Sequence, residues 1–562
     1  MTLQLHPAVA ERLARLAPDQ RAAATAPPGP VLCVAPAGSG KTTTLVARVA
    51  WLVDGGADPG AICVVAFNKR AAEELEARIG AALEPLALPR SRERTHAAVR
   101  VRTFHALGRE ILAEAGIAVE PLIDRDELLR DLFPGTTIAD RGRLDLAFSR
   151  LKLDLGVTAE AVASDPAPGP VARAFVAYER AIRETGGVDF DDLVLRAVGL
   201  LRADAAVLAT WQRRCADLLV DEAQDLDRTQ LDLALLLAAP ANHIFLVGDD
   251  DQTIYGWRLA DVRRVLGLAA SLPGLRRLDL EVNYRCPPPV VERAVRLVER
   301  NTERFAKRIA AGPRNTGRLV LAPDASDELP RITRALAALP ADDSTRAVLA
   351  RTNRELFPAV VAAVEAGLPF RAPDLPLPIE DPAIDALLDE AEALAHEAPG
   401  APLLRVLGEV RRRVAARAAA EAAEARGEPQ AATGDGPTPR ELATALLGWA
   451  PAFRDLGALR QAVVERRRRL AELRRDDAGL TLATAHGTKG LEWDHVVVLA
   501  DGFPGRRSIA DATEPERALE EERRLAYVAW TRARRSLTLL YDPAAPSRFM
   551  GEAFSEVELC PS

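Results

Sequence analysis

Three short stretches of this chain carry residue types and spacings suited to phosphate chemistry. APAGSGKT (35–42) follows the strand-like run VLCVA, so a glycine-rich turn feeds a helix. The backbone N–H groups of such a loop cradle phosphates, its lysine reaches the β and γ positions, and its last hydroxyl can hold Mg2+. Ala37, Gly38, Ser39, Gly40, Lys41, Thr42 and Thr43 are therefore the nucleotide-binding candidates, with Thr42 also a metal ligand. The glycine common six residues before the lysine is Ala35 here. DLLVDEAQD (217–225) ends an apolar run in adjacent acids. Asp221 is suited to holding Mg2+ and Glu222 to orienting or deprotonating a water. A solvated acidic turn would look the same in isolation; the company of the phosphate loop favours the chemistry.

LVGDDDQTIYGWRLA (246–260) is a second strand followed by a polar loop. The Gln252 amide can sense a γ-phosphate through a hydrogen bond. Tyr255 and Trp257 lie just beyond it. They can stack on bases if the loop faces a channel, at about 1–3 kcal/mol per base, or pack in the core as most aromatic pairs do. Arg285 in LEVNYRCPP and Arg532 in AYVAWTRARR are candidate arginine fingers. Both lie outside the first α/β stretch, which would make hydrolysis wait on closure of a second domain. For any one arginine among 68, a surface or salt-bridge role is the alternative.

The elements that must position these groups can be read from the hydrophobic pattern. At 562 residues the chain is long enough for roughly three to five domains. Residues 31–110 alternate apolar strand runs with helical periodicity, the pattern of a parallel sheet with covering helices. Residues 111–190 are helix-rich. Strand patterns return at 217–225 and 243–252, and a further α/β set spans about 276–375. Residues 376–475 are helical, interrupted by the connector RGEPQAATGDGPTPRE (426–441). Two α/β cores, each interrupted by a helical insertion, explain this order.

Net charge is −8, so the composition does not advertise a nucleic-acid binder, although a local groove can be positive on an acidic protein. Five scattered cysteines (Cys33, Cys63, Cys215, Cys286, Cys560) without a CxxC pair argue against a zinc module or disulfide framework. The start of the chain lacks a basic-then-apolar signal, and no apolar run approaches the roughly 18 residues of a membrane span. A cytoplasmic protein without membrane partners is expected. Only five lysines stand against the 68 arginines. Where arginine has replaced lysine almost everywhere, a surviving lysine points to a need for its compact ammonium.

The order of motifs resembles that of the UvrD/Rep/PcrA-like superfamily 1 DNA helicases, over residues 16–541. LAPDQRAAA (16–24) is similar to that family's glutamine motif, which implies that Gln20 reads the adenine edge. VVAFNKRAAEEL (64–75) and VRTFHALG (101–108) resemble its DNA-contact motifs, and VGDDDQTIYGWR the element joining phosphate sensing to base stacking. VNYR implies that Tyr284 stacks on adenine and Arg285 meets the γ-phosphate. VLARTNRE (348–355) implies a DNA-contacting Asn353. TAHGTKGLEWDHVVV (484–498) and EERRLAYVAWTRA (521–533) resemble the last two motifs, placing Glu492 at the ribose, Lys489 near the nucleotide cleft and Arg532 as a second finger. DFDDL (189–193) matches a segment found before the acidic motif in this family.

The resemblance implies an α/β fold of two RecA-like P-loop NTPase cores with parallel sheets. The first core would be 1–108 and 190–280 with a helical insertion at 109–189. The second would be 281–375 and 476–562 with a reduced helical insertion at 376–475. It implies ATP and Mg2+ as cofactors, single-stranded DNA and single-strand/duplex junctions as partners, and a monomer. Its activity would be 3′–5′ translocation and duplex unwinding in repair or replication restart. Phe67, Tyr255 and Trp257 would meet bases, and Thr103, His105, Arg258 and Asn353 phosphates. Position 43 is Thr where several members carry an arginine that packs on adenine, and HGTKG replaces the commoner HSAKG. The short insertion leaves open a translocase or regulatory subunit that does not unwind duplex alone. A non-catalytic DNA-binding module is a further alternative, against which the intact Lys41, Asp221, Glu222, Arg285 and Arg532 argue.

Overall fold

The computed structural model describes residues 5–86, 98–134, 136, 138–165, 167–373, 375–424, 438–510 and 512–559. Cys560 and residues 426–437 of the expected connector lie outside the described residues. The chain forms two compact units. One comprises Met1–Leu132, Leu144–Arg318 and Arg507–Thr531; the other Phe133–Arg143, Leu319–Arg506 and Arg532–Ser562.

The first unit is built on six strands: β1 (Val31–Val34), β2 (Ile62–Ala66), β3 (Arg100–Thr103), β4 (Asp217–Val220), β5 (Ile244–Gly248) and β6 (Arg276–Asp279). Their order across the sheet is β3-β2-β4-β5-β1-β6, and the paired strands run parallel. VLCV, ICVVA and IFLVG are buried along their whole length, because helices cover both faces. Val31, Cys33 and Val64 share a cluster with Leu45, Val49 and Ile79 of helices Lys41–Asp54 and Lys69–Leu83. The alternate residues Leu32, Val34 and Val65 pack with Leu107, Val194 and Leu233 on the other face. Parallel strands bring every carboxyl end to one edge, where open α/β sheets bind ligands. All the motif loops of this unit leave from that edge.

Two short strands, β7 (Val282–Asn283) and β8 (Ala310–Ala311), pair in the same unit. The sequence reading put residues 281–318 in the second core, but they cluster with the first unit. The reason is a set of contacts to the loops of the first sheet: the Tyr284 N–H donates to the Gly38 carbonyl (2.8 Å), Arg304 Nη2 to Asp251 (2.8 Å) and the Phe305 N–H to Asp250 (2.8 Å). Residues 507–531, also expected in the second core, cluster with the first unit too, and helix Pro288–Val298 packs along helix Pro515–Trp530 there.

The helical segment before residue 190 is pinned by buried ions. Lys152, 2% exposed, meets Asp192 at 2.7 Å, Asp189 at 2.9 Å and Glu179 at 3.0 Å. Arg125 donates to Asp189 (2.6 Å), Asp191 (2.7 Å) and the Tyr178 hydroxyl (3.0 Å). The acids of DFDDL are therefore structural: they hold these two cations, and Asp189 also caps helix Phe190–Ala203.

The second unit carries β9 (Arg318–Pro323), β10 (Arg346–Ala350), β11 (Phe370–Arg371), β12 (Leu480–Thr484), β13 (Trp493–Leu499) and β14 (Ala533–Tyr541), in the order β11-β12-β10-β13-β14-β9. Between β11 and β12 lie helices Ala383–Glu397, Leu403–Glu424, Pro439–Trp449 and Leu456–Leu473, with their own apolar cluster around Leu388, Leu407, Leu446 and Leu459.

Two stability predictions follow from buried charge. Lys152→Met leaves three carboxylates without their ammonium and should cost about 3–5 kcal/mol in denaturant unfolding. Asp227 caps helix Arg228–Ala238 from a buried position, and burial raises its carboxyl pKa to about 7. Its folded pKa lies above the unfolded value, so the folded state binds more protons between about pH 4 and pH 7 and loses stability as pH rises through that window. Asp227→Asn keeps an acceptor for the cap and should gain in Tm over wild type from about pH 5 to about pH 8; parallel pH profiles for the two proteins would refute this.

Candidate functional site

The loop after β1 is shaped by its glycines and by a glutamine. Gly40 caps helix Lys41–Asp54 with φ +82°, and a Cβ there would lie 2.6 Å from Gln20 Nε2. Gln20 donates from Nε2 to the Ser39 carbonyl (2.7 Å) and accepts the Ala17 N–H at Oε1 (3.1 Å), so its amide is fixed beside the loop. A pocket of about 430 Å3 opens here, lined by Arg15, Gln20, Gly38, Gly40, Thr43 and Tyr284 among others. Tyr284 is 43% exposed and its N–H donates to the Gly38 carbonyl (2.8 Å). The pocket and the exposed ring fit a nucleobase beside a phosphate loop. Buried Ser39 Oγ has no hydrogen-bond partner, which fits a loop whose acceptor is a phosphate oxygen.

Arg285 follows directly. Its N–H is held by Asn283 Oδ1 (2.8 Å), its Nη1 donates to the Thr531 carbonyl (3.2 Å), and a Cβ on Gly38 would fall 2.7 Å from its own Cβ. The expectation that a second domain delivers this arginine is corrected: Arg285 and the phosphate loop belong to one compact unit, because β7 follows β6 within a few residues.

The loops after β4 and β5 join the phosphate loop through an unbroken line of polar contacts. Lys41 Nζ lies 3.4 Å from Glu222 Oε2. The same oxygen accepts Gln224 Nε2 (2.6 Å), and Gln224 Oε1 accepts the Asp249 N–H (3.0 Å). Asp249 Oδ2 then accepts Gln252 Nε2 (2.7 Å). Glu222 sits at φ +52°, a left-handed conformation uncommon outside glycine that turns the chain sharply after Asp221. Asp221 is buried, and its Oδ1 accepts the Glu222 N–H (3.0 Å). Among the described residues no group of three or more His, Cys, Asp or Glu could hold a metal. Thr42 and Asp221 suit Mg2+, which takes one or two protein oxygens and completes its shell with phosphates and water.

Aromatic and basic candidates gather over the neighbouring strand ends. Phe67, after β2, stacks on Tyr255 at 5.3 Å and 12°, and Tyr255 meets Trp257 edge-on at 5.9 Å. Trp257 is 49% exposed, so it is a surface ring and not a core one. Arg258 lies over it at 4.6 Å. His105 packs against Phe190, itself exposed, at 4.3 Å. Burial, aided by Arg258 and opposed by Asp191, holds the His105 pKa below the usual histidine range, so the ring is neutral near pH 7. Thr103 caps helix Phe104–Glu114 by accepting the Ala106 N–H (3.2 Å), a structural task beside any contact with a ligand.

Asn353, Glu492 and Arg532 belong to the second unit. Asn353 opens helix Asn353–Glu365. Arg532 is buried and donates to the Leu491 carbonyl (3.2 Å), while Glu492 accepts Arg534 Nε (3.0 Å). Sequence reasoning missed Gln224, Lys307, Phe190 and Arg15. Lysine scarcity was a usable signal for Lys307, and an amide two residues after the catalytic-type acid was one for Gln224. Phe190 and Arg15 carried none.

An α/β unit with a phosphate loop, an acidic strand end and an exposed aromatic loop on one sheet edge has the features of a P-loop nucleotide-binding core. The chain belongs to the UvrD/Rep helicase family. The family's UvrD/REP helicase N-terminal domain matches residues 16–273 and its UvrD-like helicase C-terminal domain matches residues 465–543. ATP-dependent DNA helicase Rep of Escherichia coli (strain K12) is 32% identical over 311 residues, covering 52% of this chain and 45% of that protein. ATP-dependent DNA helicase PcrA of Leuconostoc citreum is 33% identical over 296 residues, 50% of this chain and 38% of its own length. DNA helicase II of Escherichia coli (strain K12) is 31% identical over 304 residues, 52% and 41%. The matched stretch thus spans less than half of each of these relatives.

Gly40→Ala should displace Gln20 and strain the helix start. Nucleotide affinity is expected to fall by about tenfold or more, equivalent to at least about 1.4 kcal/mol, in equilibrium binding.

Proposed function

We propose that the chain is an ATP-driven motor that moves 3′–5′ on single-stranded DNA and separates strands at single-strand/duplex junctions. The observation that carries this reading is the polar line Lys41–Glu222–Gln224–Asp249–Gln252, which ends three residues before Tyr255. Occupancy of the phosphate loop and the setting of the exposed aromatic loop are thereby held in one hydrogen-bonded frame. Family membership and the names of the relatives support DNA as the track.

In this reading Lys41 and the loop N–H groups hold the phosphates, and Glu222 orients the attacking water. Gln252 registers the γ position. Arg285 supplies transition-state charge from beside Gly38, with Arg532 as the second finger. Arginine fingers of P-loop nucleotide hydrolases contribute on the order of 10³–10⁵-fold. Mg2+, held by Thr42 and Asp221, would neutralise charge on the phosphates. Gln20 and Tyr284 take the adenine and Glu492 the ribose. Phe67, Tyr255 and Trp257 take bases, and Thr103, His105, Arg258 and Asn353 take phosphates, so binding weakens with salt. Among the described residues no helix is long and apolar enough to cross a membrane.

A second reading, a translocase that does not unwind duplex alone, draws on the insertion. Residues 376–475 carry 15 arginines and no lysine against 16 acids, so this segment is no net-positive platform for duplex. Several of those arginines are paired locally, Arg467 with Asp385 (2.8 Å) and Arg417 with Glu390 (2.6 Å).

Lys41→Ala should abolish ATP hydrolysis stimulated by single-stranded DNA; retained turnover would refute the site. Trp257→Ala should leave nucleotide binding within about threefold and slow translocation about tenfold or more. Strand separation on forked duplexes with opposite tails decides between the two readings and fixes polarity.

A further inference from the structure

The turn that carries Gln252 holds three consecutive aspartates, and all three are buried. Lys307, 1% exposed, enters between them, with Nζ 2.7 Å from Asp249 and 2.9 Å from Asp251 and in contact with Asp250. Arg304 grips Asp251 through Nε (3.0 Å) and Nη2 (2.8 Å), and the Phe305 N–H donates to Asp250 (2.8 Å). Burial works against the Lys307 charge, but Asp249, Asp251 and Asp250 outweigh it and keep the ammonium protonated. Asp249 is the pivotal acid: Oδ1 takes Lys307 and Oδ2 takes the Gln252 amide.

The stretch 301–307 is tied at its other end as well. Asn301 Nδ2 donates to the Glu520 carbonyl (3.0 Å), and Thr302 and Glu303 donate to the Glu520 carboxylate. The same helix, Pro515–Trp530, accepts the Gly256 N–H through Glu521 (3.0 Å) and salt-bridges Asp261 through Arg517. Just past its end, the Thr531 carbonyl receives Arg285 (3.2 Å). Residues 301–307 are thus a strap between the sensor turn and the helix that also holds Arg285.

We infer that Lys307 is a positioning residue for the hydrolytic step, fixing Asp249 so that the Gln252 amide stays aimed and the strap transmits movement of helix Pro515–Trp530 to it. A buried turn of three like charges cannot hold this shape without a compact cation at its centre. The inference rests on the motor reading above and adds a residue that touches neither nucleotide nor DNA.

The test measures ATP hydrolysis with and without single-stranded DNA, together with the stoichiometry of a fluorescent ATP analogue, on the full chain. Lys307→Met should bind the analogue at full stoichiometry with KM for ATP within about threefold. Its DNA-stimulated kcat per bound site should fall about tenfold or more. Lys307→Met/Asp250→Asn removes one charge of each sign and should recover most of that loss. A kcat per bound site equal to wild type in Lys307→Met overturns the inference, as does a low kcat that the double variant leaves unchanged. If Lys307→Met does not fold, Lys307→Arg carries the test. Its broader guanidinium should lower kcat about fivefold with KM unchanged, and wild-type kcat there overturns the inference. A wild-type chain without DNA-stimulated turnover fails the motor reading and this inference together. An active wild type with unaffected Lys307 variants fails only the latter.

Discussion

One carboxylate oxygen, Glu222 Oε2, is shared between the phosphate-loop lysine and the Gln224 amide, and the geometry of the site hangs on that sharing. Lys41 starts a helix after β1, Glu222 leaves β4, and Asp249 leaves β5. These strands are neighbours in the order β4-β5-β1. Their carboxyl ends are therefore a strand spacing or two apart, close enough for a single glutamine to bridge. Gly248 makes the bridge sterically possible: a Cβ there would lie 2.4 Å from Gln224 Oε1.

Around that line the unit solves one problem twice. Carboxylates that must be buried near the working edge are grouped, and each group closes on a lysine. Lys152 gathers Glu179, Asp189 and Asp192 to dock the helical segment, and Lys307 gathers Asp249, Asp250 and Asp251 to set the turn that carries Gln252. In both places an arginine serves at the rim, Arg125 or Arg304, where its planar fork can pair two acceptors. The compact ammonium takes the centre, where three acids converge from different directions. Buried ion groups of this kind add little net stability but strongly penalise any arrangement that separates them, so they define geometry more than they strengthen it.

The strands and the loops that follow them were legible in the sequence because runs such as ICVVA and IFLVG are apolar on both faces and end in polar, chemistry-bearing residues. Local spacing also placed Lys41, Glu222 and Gln252 on loops that do meet. What could not be read was which distant side chains complete them. Gln224 to Asp249 spans 25 positions, Lys307 to Asp249 spans 58, and Gly256 to Glu521 spans 265. No periodicity reports contacts of that range. The same limit explains Arg285: its position after the first α/β stretch suggested another domain, whereas two short strands fold it back beside Gly38. Thr103 shows a different ambiguity. A threonine before an apolar helix caps that helix whatever else it touches, and sequence alone weights neither task.

The two sealed lysines also decide how this protein meets amine-reactive chemistry. Lys152 and Lys307 present almost no surface, and Lys41 is mostly covered beside Glu222, whereas the Lys69 side chain is 89% exposed. Lys69 lies two residues after Phe67, at the start of helix Lys69–Leu83. With Lys489 half-buried, Lys69 is the one fully exposed lysine amine among the described residues, so an acylating dye or cross-linker reacts first two residues from Phe67 of the aromatic cluster, without an engineered cysteine.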